Sequence, residues 1–334
     1  MKKITSIFLV LFLIFFTLIK NVNAQQFGLS ISPPHLEVII KPDKSILIAY
    51  KIQNFGDPVV LKANVYSFIP KDNYGNITIK NELEGPVRFS LDNSNITLDQ
   101  PFFLNSKDEQ QLLLRIRLPE GAYEGDYYYT FLAETVPNPG ISGVTGSQAK
   151  GRIGSNILIT VTETGRIDLK GKIVIFDVLP RFNLNFLGLK YKIFDSGDPI
   201  PIVLILENAG KNMIKPNGDI VLKGNFGEKT VFNIIPQNIL AESQRQISAS
   251  PSATLNCDMV KKPFYCKHPS SFAISGFFIG KYSLSTTINF GEGSPNIFSS
   301  TAFIAIPIKF LASIFIILAF TIFVIKMQRK NKTE

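Results

Sequence analysis

Two short patterns occur twice in this chain, in the same order and at nearly the same interval. Asn54-Phe55-Gly56 closes one apolar run, and Gly121-Ala122-Tyr123 follows 67 residues after Asn54. Asn208-Ala209-Gly210 closes another, and Gly280-Lys281-Tyr282 follows 72 residues after Asn208. Two weak patterns recurring in register predict a duplicated structural unit. Asn and Gly suit a corner where a strand leaves its sheet, because Asn bonds local backbone and Gly tolerates positive φ. A Tyr opening a late strand can bury its ring and tie its hydroxyl to nearby backbone.

The units read as all-β. Short runs rich in Val, Ile, Phe, Tyr and Thr recur between Gly, Pro, Asn and Asp, among them His35–Ile40, Ser45–Gln53, Val59–Phe68, Gln111–Arg117 and Asp126–Glu134. Further on come Asn156–Thr162, Lys172–Asp177, Ile200–Glu207, Asp219–Lys223, Lys229–Ile234, Arg245–Ser250 and Tyr282–Phe290. No long amphipathic helix pattern separates them, so the expectation is antiparallel sandwiches rather than βαβ units. The expected fold is two tandem Ig-like β-sandwiches, residues 25–164 and 165–305, followed by one transmembrane helix.

Both ends carry targeting grammar. Lys2 and Lys3, the apolar Ile7–Ile19 stretch and Val22-Asn23-Ala24 have the order of a secretory signal peptide, residues 1–24. From Phe303 to Ile325 the only charge is Lys309. A span over 306–326 is long enough for a hydrocarbon layer of about 30 Å, with Lys309 placed to snorkel towards headgroups. Lys326, Arg329, Lys330 and Lys332 follow, so residues 327–334 are expected in the cytoplasm and the body outside, a single-pass plasma-membrane topology. These ends also explain the formal charge of +9. The body from Gln25 to Ala305 holds 27 basic and 25 acidic residues, which removes the nucleic-acid reading that a pI of 9.3 invites.

Nothing in the body has the spacing of an active site. The two histidines, His35 and His268, lack a nucleophile motif. No phosphate-cradling Gly loop appears, and the acidic residues fall in polar turns. The chain is expected not to be an enzyme and to need no cofactor. Cys257 and Cys266 bracket a short loop, and outside the cytoplasm an even count favours a disulfide. Free thiols, or a metal taken up with His268, are the alternatives. The Gly/Ser/Pro-rich stretch from Val136 to Ser155 is either a recognition loop, with Lys150 and Arg152 making its far limb basic, or a flexible connection. Tyr127-Tyr128-Tyr129 must place rings on both faces of a strand. One reading packs a core and pads a sheet surface; the other makes Tyr127 and Tyr129 a stacking platform. Asn76 and Asn95 stand in glycosylation sequons.

The stretch FGLSISPPHLEVIIKPDKSILIAYKIQNFG, then EGAYEGDYYYTFLAE, a long loop and SNILITVTETG, resembles the peptidoglycan-binding N-terminal domain of WxL-interacting cell-surface proteins. A second sandwich and a C-terminal membrane helix with a basic tail fit that layout. The resemblance implies a surface protein of Gram-positive type that contacts peptidoglycan and a cell-surface protein partner; it carries over no binding residue. Periplasmic pilus chaperones are a second relative in fold, which implies the alternative of an accessory subunit in a transport, secretion or pilus-type assembly. That family holds a subunit's terminal carboxylate with a basic residue near the first strand, and Ser30–Leu36 contains none.

Overall fold

Alternation in the sequence becomes strands with one buried edge. In Ser45–Asn54 the side chains of Tyr50, Ile52 and Asn54 turn inward while Lys51 faces solvent. A computed structural model of the chain describes residues 26–136, 150–255, 257, 263–291 and 293–330. Residues 1–24, where a signal peptide is expected, the stretch 137–149 within the expected loop, and the last four residues lie outside the described residues.

The first half contains β1 (Leu29–Ser32), β2 (His35–Ile40), β3 (Ser45–Asn54), β4 (Val59–Pro70), β5 (Ile77–Ile79), β6 (Arg88–Leu91), β7 (Pro101–Leu104), β8 (Glu109–Arg117), β9 (Gly125–Thr135) and β10 (Arg152–Val161). One sheet has the order β1-β3-β8-β6; the facing sheet runs β2-β10-β9-β4-β5, with β7 also on β4. Tyr50, Ile52, Leu112 and Leu114 of one sheet meet Leu61, Phe131, Ile157 and Ile159 of the other.

The second half contains β11 (Gly171–Val178), β12 (Phe182–Phe186), β13 (Leu189–Asp195), β14 (Ile200–Asn208), β15 (Asn217–Gly224), β16 (Lys229–Ile234), β17 (Gln244–Gln246), β18 (Ala249–Ser250), β19 (Phe272–Ile274), β20 (Gly280–Asn289) and β21 (Ile297–Ile306). Its smaller sheet is β11-β14-β17 with β19 on β14, and its larger one is β12-β13-β21-β20-β15-β16-β18. Between them pack Phe194, Leu204, Leu206, Ile220, Leu284 and Phe303. The fold is all-β, two tandem Ig-like sandwiches followed by one apolar helix.

The sheets are not antiparallel throughout. Each sandwich holds one parallel pair, β2 with β10 and β13 with β21. The reason is a crossing of the first segment between sheets. β1 lies on β3, and the chain then crosses to run beside β10. The crossing falls at Pro33-Pro34, where two residues without N–H groups end one ladder before the next begins.

The Asn-x-Gly corners are the same object built twice. Asn54 and Asn208 are fully buried at the ends of β3 and β14. The Asn54 carboxamide donates to Asp57 O at 2.8 Å and Asn105 O at 3.0 Å, and its Oδ1 accepts Gly56 N–H at 2.9 Å. The Asn208 carboxamide donates to Asn212 O at 2.8 Å and Ile239 O at 3.0 Å, and accepts Gly210 N–H at 2.9 Å. The glycines are required for space rather than for positive φ. A Cβ on Gly56 would sit 2.2 Å from Gln26 O, and one on Gly210 2.4 Å from Asp168 O.

The tyrosines behave differently. Tyr282 is 4% exposed and stacks on Phe303, whereas Tyr123 is 84% exposed and lies in the turn before β9. In the first sandwich the residue six positions on, Tyr129, is buried instead, and its hydroxyl donates to Glu84 O at 2.8 Å.

The apolar C-terminal run divides in two. Its first residues belong to β21, where Phe303 and Ala305 face the core; the helix spans Ile308–Lys330. The stretch Ile308–Met327 has a mean hydropathy of 2.7 with none of it buried in protein, so this helix is apolar and long enough to span a membrane. Lys309 reaches back into the sandwich. Its ammonium pairs with Asp195 at 3.0 Å and with Asp198, and its N–H donates to Asp195 Oδ1 at 3.1 Å. Burial alone would raise the Asp195 carboxyl, but these contacts with Lys309 hold it below its ordinary value.

Replacing Asn208 with Ala is expected to cost about 2 kcal/mol, because the Asn212 carbonyl and the Gly210 N–H lose this partner and the Ile239 carbonyl keeps only the Ile214 N–H. Gly210→Val is expected to cost at least as much through the clash with Asp168. Thermal unfolding of the full chain in detergent checks both; an unchanged midpoint would show that the corner is not structural.

Candidate functional site between the sandwiches

The sandwiches touch through a small apolar seam and a polar cluster. Phe68 and Leu158 of the first meet Leu240 of the second, with Ile77, Tyr128 and Met213 packed against them. Asp126, at the start of β9, is the hub. Its Oδ1 accepts Thr160 Oγ1–H at 2.8 Å and Asn212 Nδ2–H at 2.9 Å, and its Oδ2 accepts the Met213 N–H. Tyr128 donates to Asp126 Oδ2 at 3.0 Å and accepts the Ala241 N–H at 2.8 Å. Burial, followed by the neighbouring Asp126 charge, pushes the Tyr128 phenol far above its ordinary range, so it stays a neutral donor.

A second contact lies beside the hub. Glu37 accepts Asn238 Nδ2–H at 2.6 Å, the Lys215 ammonium at 3.2 Å and His35 Nε2 at 3.0 Å. Burial works against the Glu37 charge, yet bonds from Asn238, Lys215 and His35 outweigh it and hold the carboxyl below its ordinary value. The Gln246 N–H also donates across the junction to Asn73 O at 2.6 Å.

Between these contacts opens a cleft of about 300 Å³, lined by His35, Asp72, Asn76, Asn156, Gln244 and Arg245 among others. Arg245 is its notable charge. The guanidinium donates to Gln237 Oε1 at 3.1 Å and to Asn238 O at 2.7 Å, both neutral acceptors. Among the described residues no carboxylate forms an ion pair with it. Burial lowers its pKa from the ordinary value, the signature of a cation without a counter-charge. Asp72, across the cleft, is taken up by its own turn, accepting Asn76 Nδ2–H at 2.8 Å and Tyr74 N–H at 2.9 Å.

The residues singled out in the sequence do not converge. Tyr129 is 1% exposed and belongs to the core, so its ring is no stacking surface. Tyr127 is half-buried and donates to Tyr123 O at 3.0 Å. Arg152 lies in β10 rather than in a loop, paired with Glu134 at 3.0 Å, and Lys150 is exposed just before it. Arg152 faces Glu134 and Tyr127 faces Ile159 across the β9–β10 ladder, which separates them by roughly 23 Å at ~3.3 Å per residue. Cys257 and Cys266 are disulfide-bonded, their Cα atoms 5.6 Å apart. Among the described residues no group of three or more His, Cys, Asp and Glu side chains is placed to hold a metal.

No protein-family model matches the sequence, and no curated protein does. Solved structures similar to it include the YadV chaperone, at 10% identity over 82% of this chain and 98% of that one, with a TM-score of 0.35. The class 5 fimbriae chaperone CfaA is similar at 10% identity over 84% and 100%, TM-score 0.36. A chain of the Salmonella enterica SafA pilin–SafB chaperone complex matches at 10% identity over 83% and 98%, TM-score 0.34. At this level of likeness no residue role passes from them to this chain.

The depressed Glu37 carboxyl gives a signed pH dependence. Its contribution to the junction is present above the unfolded value of about 4.5 and is lost as pH falls through the lower folded value. Spin labels on the two sandwiches are expected to show a broader distance distribution in acid, and Glu37→Gln is expected to remove that part of the change. Asp126→Ala is expected to broaden the same distribution at neutral pH while each sandwich keeps its thermal transition. A narrow distribution in Asp126→Ala would show that the apolar seam alone sets the geometry.

Proposed function

We propose that this chain is a non-enzymatic, membrane-anchored binding module that takes a carboxylate-bearing segment of a partner protein in the inter-sandwich cleft. The observation that carries the reading is Arg245, a partly buried guanidinium held by neutral acceptors and facing the cleft. Such a group costs free energy to desolvate and regains it when a carboxylate arrives. Its planar fork suits two-point contact with a carboxylate. The amides of Asn76, Asn156 and Gln244 line the same cleft, and the carboxylate that also lines it, Asp72, is already engaged by its own turn. In this reading the body lies outside the cell and the helix crosses once, with its Lys326–Lys330 end inside, a topology that the excess of cations there supports.

Anchoring adds effective concentration. A module held at the membrane meets ligands of the same surface at far higher local concentration than in solution, so modest contacts suffice. Contact of the Val136–Ser155 stretch with wall polymer rests on the sequence resemblance alone.

The test uses the full chain in detergent micelles and a peptide library presented with free or amidated C-termini and with or without acidic side chains. Binding that needs a carboxylate and weakens roughly thirtyfold in Arg245→Gln, about 2 kcal/mol for a charge-assisted contact, supports the proposal. Carboxylate-independent binding that Arg245→Gln leaves unchanged overturns it. Retention on insoluble peptidoglycan that survives Arg245→Gln would instead place recognition in the wall-polymer reading.

A further inference from the structure

The end of the second sandwich from which the helix leaves is ringed by exposed apolar side chains. The backbone fixes which residues share that end. Ala305 pairs with Gly280, Ile304 with Lys281 and with Ile193, and Ile193 in turn with Phe182. Ser196 N–H donates to Ile306 O, and Phe278 N–H donates to Ser196 O. The β15–β16 turn reaches the same level, where Phe226 lies 3.9 Å from where a Cβ on Gly280 would sit. Phe226 and Phe277 are 77% and 70% exposed, and Phe182 and Ile279 are also exposed. Four apolar side chains from two separate turns and a strand start thus stand around the helix entry.

We infer that this rim is a lipid-docking surface, seated in the interfacial layer of the bilayer that the helix crosses. The inference rests on the membrane-anchoring part of the proposed function. Continuity decides the occupant: only Pro307 separates β21 from the helix, so the rim cannot stand far from the hydrocarbon boundary. The entry is also tied laterally, since Lys309 is held by Asp195 and Asp198, and Arg181 donates to Asp198 at 2.9 Å beside Phe182. A tethered sandwich with a flexible joint could lift such residues into water; this one holds them at the depth where apolar side chains enter the headgroup–acyl boundary, about 5–10 Å. Large exposed apolar groups gathered at one place mark a contact surface rather than random exposure. The β12–β13 hairpin tip beyond Phe182 climbs away from the helix and is not part of the rim.

The chain contains no Trp, so each introduced indole is its only one. Full-length Phe226→Trp, Phe277→Trp, Phe298→Trp and Phe315→Trp variants are reconstituted in phosphatidylcholine vesicles with brominated acyl chains. Phe298 is an exposed control on β21, roughly 26 Å from Ile306 at ~3.3 Å per residue. Phe315 lies inside the apolar helix. The inference expects several-fold quenching and blue-shifted emission at 226, 277 and 315, with 298 unquenched. Quenching at 315 alone overturns the docking surface and leaves the anchor standing. An unquenched 315 overturns the anchoring reading and this one with it. Because Phe226 and Phe277 are exposed, matching thermal midpoints are expected for all variants, and a lowered midpoint with an unquenched rim still counts against docking.

Discussion

One carboxamide in each sandwich does what neither an apolar residue nor water could do there. Asn54 and Asn208 end a central strand in a dry corner where several backbone groups have no ladder partner. A carboxamide supplies donors and an acceptor together, so the following turn, the neighbouring loop and the returning Gly N–H are satisfied by a single side chain. The peptide behind the corner is drawn in as well. Phe55 N–H donates to Gly28 O and Ala209 N–H to Lys170 O, each at 2.7 Å. The first segment of each sandwich is therefore docked on the corner, and its approach is so close that only Gly fits at Gly56 and Gly210. The parallel pairing of β2 and of β13 lies downstream of that docking, because the segment so fixed must cross to the other sheet to cover its last strand.

The junction between the sandwiches uses the same logic with a charge. Asp126 is acceptor-only, and it faces donors from both halves: Thr160 and Tyr128 on its own side, Asn212 and the Met213 N–H on the other. Asn212 also accepts the Asp168 N–H at 3.0 Å and offers its carbonyl to Asn208. The second corner, the connecting segment and the inter-sandwich hub are thus one hydrogen-bonded series. A junction of this kind preforms the cleft, and a preformed cleft spares a ligand the cost of ordering two bodies. Arg245 gains from this directly, since its fork is held by Gln237 and Asn238 before any ligand arrives.

What the sequence made legible follows from how local each signal is. Alternating runs such as Ser45–Gln53 and Gln111–Arg117 marked β3 and β8 closely, because burial on one face imposes its period on neighbouring residues. The duplicated Asn-x-Gly was readable for the same reason. β21 was not, because its inward Phe303 and Ala305 merge with the apolar helix into one continuous run. β12 was also missed; its Phe182, Leu184 and Phe186 alternate with Asn, but their exposure hides no core. The Tyr run was read as core or platform, while Tyr128 takes a third part that depends on Ala241, 113 residues away. Arg245 gave no signal either: an isolated cation in a polar turn looks like solvated surface until the fold sets Gly75 and His35 opposite it.

The strand that joins the helix settles how the parts work together. β21 is hydrogen-bonded to β20 along its length and to β13 at its helix end. Its first residues lie level with Asn289, which pairs with Asn217, close in sequence to Asn212 and Lys215 at the junction. Its last residues meet the helix after one proline. Ten residues of strand therefore span the body from the helix entry to the inter-sandwich contacts, a distance of roughly 30 Å at ~3.3 Å per residue. No flexible linker intervenes along that path. The height of the cleft above the helix entry is consequently a property of the sheet, set by strand length.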